Sequence, residues 1–285
     1  DETEGKVHTY LKNHIHGVEV DEFACEIARL SLTLADIPNP NGWDLKPGDM
    51  YASDVLAEEA AKCGVLLSNP PFEKFDRTDK HRCKAAGFEV RHKKAVELLH
   101  RTLNRLHPGS VFGVVVPQTV VSGPEARAIR ERLLKDFDIL EVCLFPGKVF
   151  EFAQIETAII LGRRRAEGQG SVSHQVHLRA VGEHGMPAFR HHYATDSDGY
   201  VSQRRLMENP GLELKVAALD EVWLALKSNQ RIRDVALVGR GIEFKGDDER
   251  SGVPVVVPKP KPGYLTGYAG VSRDQTIFTT PPERG

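Results

Sequence analysis

Between Ile15 and Arg165, short apolar runs alternate with longer segments whose apolar residues recur every three or four positions. "IHGVEV" (Ile15 to Val20) reads as a short strand ending in an acid. "DEFACEIARLSLTLAD" follows, with Phe23, Ile27, Leu30 and Leu34 at helical spacing and Asp21 in the N-cap position. "IPNPNGWDLKPGDM" is a Pro/Gly-rich loop with a short strand before Asp49, and Ser53 opens a helix through "DVLAEEAAKC". A strand from Val65 to Ser68 runs into "NPPF", and the polar stretch Glu73 to Gly87 reads as a loop. The next helix carries Val90, Val96, Leu99, Leu103 and Leu106 on one face. "VFGVVVP" is almost continuously apolar, as in a strand covered on both faces. "GPEARAIRERLLKDF" is a helix with Pro124 in its first turn, and "ILEVCLFP" and "IETAIILGRRR" are two further strands.

This alternation predicts an α/β fold with a parallel, doubly wound sheet. The last two strands have no helix between them, so they are expected to form an antiparallel hairpin at one sheet edge. After Arg165 the rhythm is lost. "QVHLRAV" is a candidate strand, "LELKVAALDEVWLALKSN" looks helical, and "IRDVALVGRGIEFKG" reads as two short strands punctuated by glycine. The expected organisation is a domain over residues 1–165, a connecting α+β extension over 166–225, and a third segment over 226–285.

The composition changes this picture little. The chain is 40% hydrophobic and 27% charged with a net charge of −2, a globular balance without a global basic field. Four widely spaced cysteines contain no Cys-x-x-Cys pair, so a zinc ribbon is not expected and the thiols read as reduced and mostly buried in a cytoplasmic protein. The twelve histidines show no metal-ligand spacing, so no metal site is expected. No signal peptide or apolar run of transmembrane length is present, and no membrane partner is expected.

The candidate chemistry lies at the end of the Val65–Ser68 strand. In open α/β sheets, ligands bind beyond the carboxyl ends of the strands. Pro70 and Pro71 have fixed φ angles and no N–H, so this backbone cannot pair with a neighbour and its carbonyls remain available. Asn69 adds an amide oxygen and Phe72 a flat apolar face. An amide oxygen beside a backbone carbonyl forms a double acceptor, whose natural partner is a planar –NH2 group. The ring would hold a planar base by stacking, a contact of about 1–3 kcal/mol.

"SNPPF" resembles the catalytic motif of adenine-N6 DNA methyltransferases, and the motif order is that of their gamma subgroup. Type I modification subunits and fused type II restriction-modification enzymes belong there. The resemblance spans about Ile15 to Arg165 and implies a Rossmann-like methyltransferase sheet using S-adenosyl-L-methionine. It also implies duplex DNA with a flipped adenine as substrate, and a specificity or restriction subunit as partner. By the same resemblance, Glu19 binds the cofactor ribose and Val20 packs on the cofactor adenine. A second acid, Asp49 or Asp54, meets the adenine amine; Asp49 is preferred, with Met50 packing beside it. Asn69, Pro70, Pro71 and Phe72 form the catalytic elbow, and Phe150, or its rival Phe152, is the second wall of the target-base pocket. The glycine-rich loop that should follow the family's first strand is not found in the 14 residues before Ile15, which implies a sheet incomplete at its N-terminus and a truncated chain. Residues 226–285 resemble the start of a target-recognition domain. "GRRR" (Gly162 to Arg165) and "RHKK" (Arg91 to Lys94) are candidate phosphate contacts or solvated faces. Two alternatives use the same residues: methylation of RNA or a protein glutamine, and a non-catalytic DNA-binding subunit that has lost cofactor binding.

Overall fold

The computed structural model describes residues 2–39, 41–147, 149, 155–166, 174–215, 225–226, 229–230 and 232–235. The chain divides into two compact units, Asp1–Ala218 and Leu219–Gly285.

The first unit opens with helix α1 (Glu2–His14), strand β1 (His16–Glu19), helix α2 (Glu22–Ala35) and strand β2 (Asp44–Pro47). Asp21 starts α2 by accepting hydrogen bonds from the Phe23 and Ala24 backbone N–H groups. β1 and β2 form a two-stranded parallel sheet with Glu19 opposite Pro47. Helix α3 (Val55–Ala60), strand β3 (Val65–Ser68), helix α4 (Arg77–Ala85) and helix α5 (Lys94–Thr102) follow. Then come strand β4 (Val111–Pro117), helix α6 (Gln118–Ser122), helix α7 (Arg127–Asp136), strand β5 (Phe137–Phe145) and strand β6 (Thr157–Arg164). Strand β7 (Gln175–Ala180), helix α8 (Met186–His192), strand β8 (Ser197–Ser202) and helix α9 (Gln203–Glu208) follow, and short 3-10 helices stand at Leu103–Arg105 and Pro124–Ala126.

The main sheet has six strands in the order β3-β4-β6-β5-β7-β8. The pairings make β3, β4, β5 and β7 run one way and β6 and β8 the other. Four of the six strands therefore share one direction, in a mixed α/β fold. β5 and β6 are antiparallel, as expected, but lie inside the sheet. The reason is that β7 pairs with the free side of β5 and β8 with β7, so the stretch after Arg165 extends the sheet. Gln203 anchors this extension: its fully buried amide accepts from Ile139 N–H (2.9 Å) and donates to the carbonyls of Leu134 (2.8 Å) and Phe137 (2.7 Å).

Two further expectations are corrected in this unit. Arg77–Ala85, read as loop, is helix α4, because Asp76 and Asp79 form a reciprocal capping box that satisfies backbone donors at its start. β4 buries Phe112, Val114 and Val116 in the main core, whereas Val111, Gly113 and Val115 on its other face are only half-buried. The apolar stripe of α2 is exposed, with Phe23 at 72%, and so is Leu67 of the edge strand β3 at 76%. In the second unit, Ile232–Val235 is helical where a strand was expected; the rest of the predicted C-terminal strands lies outside the described residues.

The candidate active site

β1, β2 and β3 each end in a candidate site segment, and parallel pairing brings the first two together. The Glu19 carbonyl accepts from Gly48 N–H at 2.9 Å, which sets Glu19 beside the segment leading to Asp49. Glu19 Oε1 accepts from Asp21 N–H (2.9 Å), and Oε2 has no partner among the described residues. Val20, next in the chain, is 60% exposed, an apolar surface directly beside that carboxylate.

Asp49 is largely covered. Its Oδ1 accepts from Tyr51 N–H (2.8 Å) and its Oδ2 from Arg82 Nε (2.6 Å). Met50 is half-buried against the main core. Asp54 is exposed at the N-cap of α3 and makes no side-chain capping bond. The structure thus brings Asp49, but not Asp54, into a hydrogen-bonded setting at a strand end.

The elbow after β3 presents Asn69 exposed, Pro70 buried, Pro71 exposed and Phe72 half-buried. The Asn69 side chain has no hydrogen-bond partner among the described residues, so its amide oxygen is open to an incoming donor. Phe75, three residues on, is buried and meets Tyr51 edge to face at 4.9 Å. The Tyr51 hydroxyl donates to the Lys94 carbonyl (3.1 Å), and Lys94 N–H donates to the Glu73 carbonyl (3.2 Å).

A network of charges, missed from sequence, ties Asp49 to the elbow. Arg82 pairs with Asp49 and with Asp79 (2.9 Å); Asp79 pairs with Lys94 (2.8 Å), which also pairs with Glu73. The Lys94 hydrogen bond holds the Asp79 carboxyl below its ordinary range. Burial works against the Lys94 charge, but its bonds to Asp79 and Glu73 outweigh this and raise its pKa. Burial, reinforced by the Asp49 charge, raises the Tyr51 phenol. The only signal for this network in the sequence was the Asp76-x-x-Asp79 spacing of a capping box.

Phe150 and Phe152 lie outside the described residues. The "GRRR" run is placed far from the elbow in sheet terms: Arg163 is opposite Val111 and Arg164 opposite Phe137, the amino ends of β4 and β5. Arg165 is also neutralised by Asp138 at 2.7 Å. At the amino ends of β1 and β2, His16, Asp44 and Glu59 come within 4.8 Å of one another. Lys46 already donates to Glu59 at 2.7 Å there, so a resident cation, an ammonium, neutralises the group.

Comparison with known proteins bears on the family and the fold. The N-6 DNA Methylase family profile matches residues 3–179. The type I restriction-modification methyltransferase subunit from Streptococcus thermophilus superposes with a TM-score of 0.51 at 20% identity, over 70% of this chain and 47% of that one. The M protein of the type I restriction enzyme EcoKI gives 0.46 at 19% identity, over 60% and 37%. The chain thus spans less than half the length of these solved structures. No curated protein is similar enough to match. The match over residues 3–179 covers more than half of the 285 residues, and the chain belongs to the N-6 DNA Methylase family.

Proposed function

We propose that this chain carries the catalytic elbow of an S-adenosylmethionine-dependent DNA methyltransferase acting on N6 of adenine, within a restriction-modification system. The observation that carries the reading is the exposed, unpartnered amide of Asn69, followed by two prolines, at the carboxyl end of a parallel strand. Asn69 Oδ1 and the Pro70 carbonyl accept the two N6 hydrogens and draw the nitrogen lone pair out of conjugation with the ring. Phe72 stacks on the extruded base, with Phe150 as the opposite wall. The proton that N6 gives up has a path to water because Asn69 is exposed. Catalysis on this account rests on positioning the amine, with no general base.

The donor set fits the cofactor. Glu19 has a free carboxylate oxygen for the ribose hydroxyls, Val20 an open apolar face for the adenine, and Asp49 lone pairs left for the adenine amine beside Met50. S-adenosylmethionine, when bound, supplies the electrophilic methyl group. Residues 226–285 begin a target-recognition domain, and the protein works in the cytoplasm with duplex DNA and a specificity or restriction subunit.

The test is Asn69→Ala in the full chain. Methylation of duplex DNA falls by at least about a hundredfold, the scale for removing one preorganised hydrogen-bond partner of the reacting centre. Affinity for S-adenosylmethionine, measured by calorimetry, stays within about twofold. Retained turnover refutes the acceptor role.

A further inference from the structure

A cavity of about 280 Å³ opens beside the elbow, with Phe75 and Val96 in its floor and Lys74, Lys80, Arg91 and Lys93 around it. Arg91 is matched by Glu89 at 2.7 Å, and Lys93 by Glu125. Lys74 and Lys80 are exposed, and their side chains make no hydrogen bond or ion pair with any described residue. The cavity therefore presents two uncompensated ammonium groups, in a chain whose net charge is −2. Its framework is held in place. Phe75 is locked against Tyr51, and the Lys94 N–H bond to the Glu73 carbonyl ties the Arg91–Lys94 segment to the elbow. Lys74 is two residues from Phe72, a reach of at most about 7 Å along the chain. In the other basic run, Gly162–Arg165, Arg164 and Arg165 are salt-bridged, and the run lies at the amino ends of β4 and β5.

We propose that this cavity binds a backbone phosphate of DNA immediately next to the target adenine. The inference rests on the DNA methylation reading above. A base that swings out of the helix turns about its own sugar and phosphates, so its flanking phosphates stay within one nucleotide of the base pocket. Lys74 and Lys80 meet the phosphate oxygens as point charges, and the contact positions the strand without reading sequence. Each ammonium that neutralises a phosphate releases condensed counterions, so the contact has a signature in salt dependence.

The test measures Kd of the full chain for a fluorescent duplex between 50 and 200 mM NaCl. In the Lys74→Ala/Lys80→Ala variant, the slope of log affinity against log salt becomes shallower by about 0.9, the value for the one phosphate that is no longer neutralised. Lys74→Arg/Lys80→Arg keeps the wild-type slope, and Lys74→Gln alone gives about half the change. Thermal midpoints are followed for all variants, and both side chains are exposed, so folding is preserved. An unchanged slope in the double alanine variant overturns the proposal, as does equal flattening in the double arginine variant. Tighter binding to an RNA of the same sequence, abolished in the same variants, also overturns it and assigns the cavity to RNA. A wild-type chain without salt-dependent duplex binding fails the DNA reading itself, a distinct outcome.

Discussion

Arg130 on α7 is the most demanding buried group in the fold. It is 1% exposed and has no carboxylate partner among the described residues; four backbone carbonyls receive its guanidinium. Nε donates to Leu212 (3.0 Å), Nη1 to Val120 (3.0 Å) and Gly123 (2.7 Å), and Nη2 to Gly211 (2.9 Å). These bonds join helix α6 and its C-cap Gly123 to the segment after α9, where Leu214 N–H also donates to the Val121 carbonyl. Burial lowers the Arg130 pKa, yet a guanidinium stays charged at neutral pH. Arg130→Met keeps the bulk and removes all four bonds. Hydrogen bonds to a charged group contribute about 1.5–3 kcal/mol each, so the gross loss is about 6–12 kcal/mol. Relief from burying the charge returns several kcal/mol of that. The net expectation is a loss of about 3–5 kcal/mol, comparable with breaking a buried polar network. For a unit of about 200 residues this lowers the melting midpoint by roughly 10 °C. Denaturant titration and calorimetry measure it, and amide exchange should rise at Leu212 and Leu214. Arg130→Lys, which cannot reproduce the planar fork, falls between the two. A methionine variant within 1 kcal/mol of wild type would refute the reasoning, because the carbonyls would then need no partner.

Two other predictions concern packing and charge. A Cβ on Gly162 would lie 2.5 Å from Phe112 Cε1 and 2.7 Å from Cζ, and Phe112 is itself held edge to face against Phe137; Gly162→Ala therefore destabilises by about 1–3 kcal/mol in denaturant titration, and Phe112→Leu recovers part of it. The Asp79–Lys94 pair sets a pH window. The folded carboxyl titrates below its unfolded value, so its contribution is complete above the unfolded pKa of about 3.9 and is lost as pH falls through the lower folded value. Lys94 titrates above its unfolded value, so its contribution is complete below about pH 10 and is lost as pH rises through the folded value. Asp79→Asn accordingly flattens the acid limb of a stability–pH curve and leaves the region just below neutrality flat.

Strands β3 to β6 of the main sheet were legible because their apolar runs alternate with helices of clear 3.6-residue period, as with α7 against β5, whereas β8 was not read from the sequence. Helix α4 was not, because "RTDKHRCKA" buries only Asp79 and Cys83 and offers no apolar stripe; a capping box starts it. The position of β6 between β4 and β5 was hidden for another reason. Periodicity gives a strand's faces but not its neighbours, and the neighbours here were decided by β7 and β8, from the stretch with the weakest pattern. The same limit explains α2, whose periodic stripe is plain in the sequence while what covers it is not. At the site, the stiffness of the elbow was readable from Asn69, Pro70 and Pro71 themselves. The Arg82–Asp79–Lys94 network was not, since it joins residues up to 45 positions apart from Asp49 to Lys94 through long side chains.

The central claim is the identity of the methylated atom. The most direct measurement incubates the protein with duplex DNA and methyl-labelled S-adenosylmethionine, then digests the DNA to nucleosides and identifies the product by mass spectrometry. The account predicts label in N6-methyladenine, dependent on Asn69. Label confined to a cytosine, to RNA or to protein glutamine, with none in adenine of duplex DNA, would contradict it.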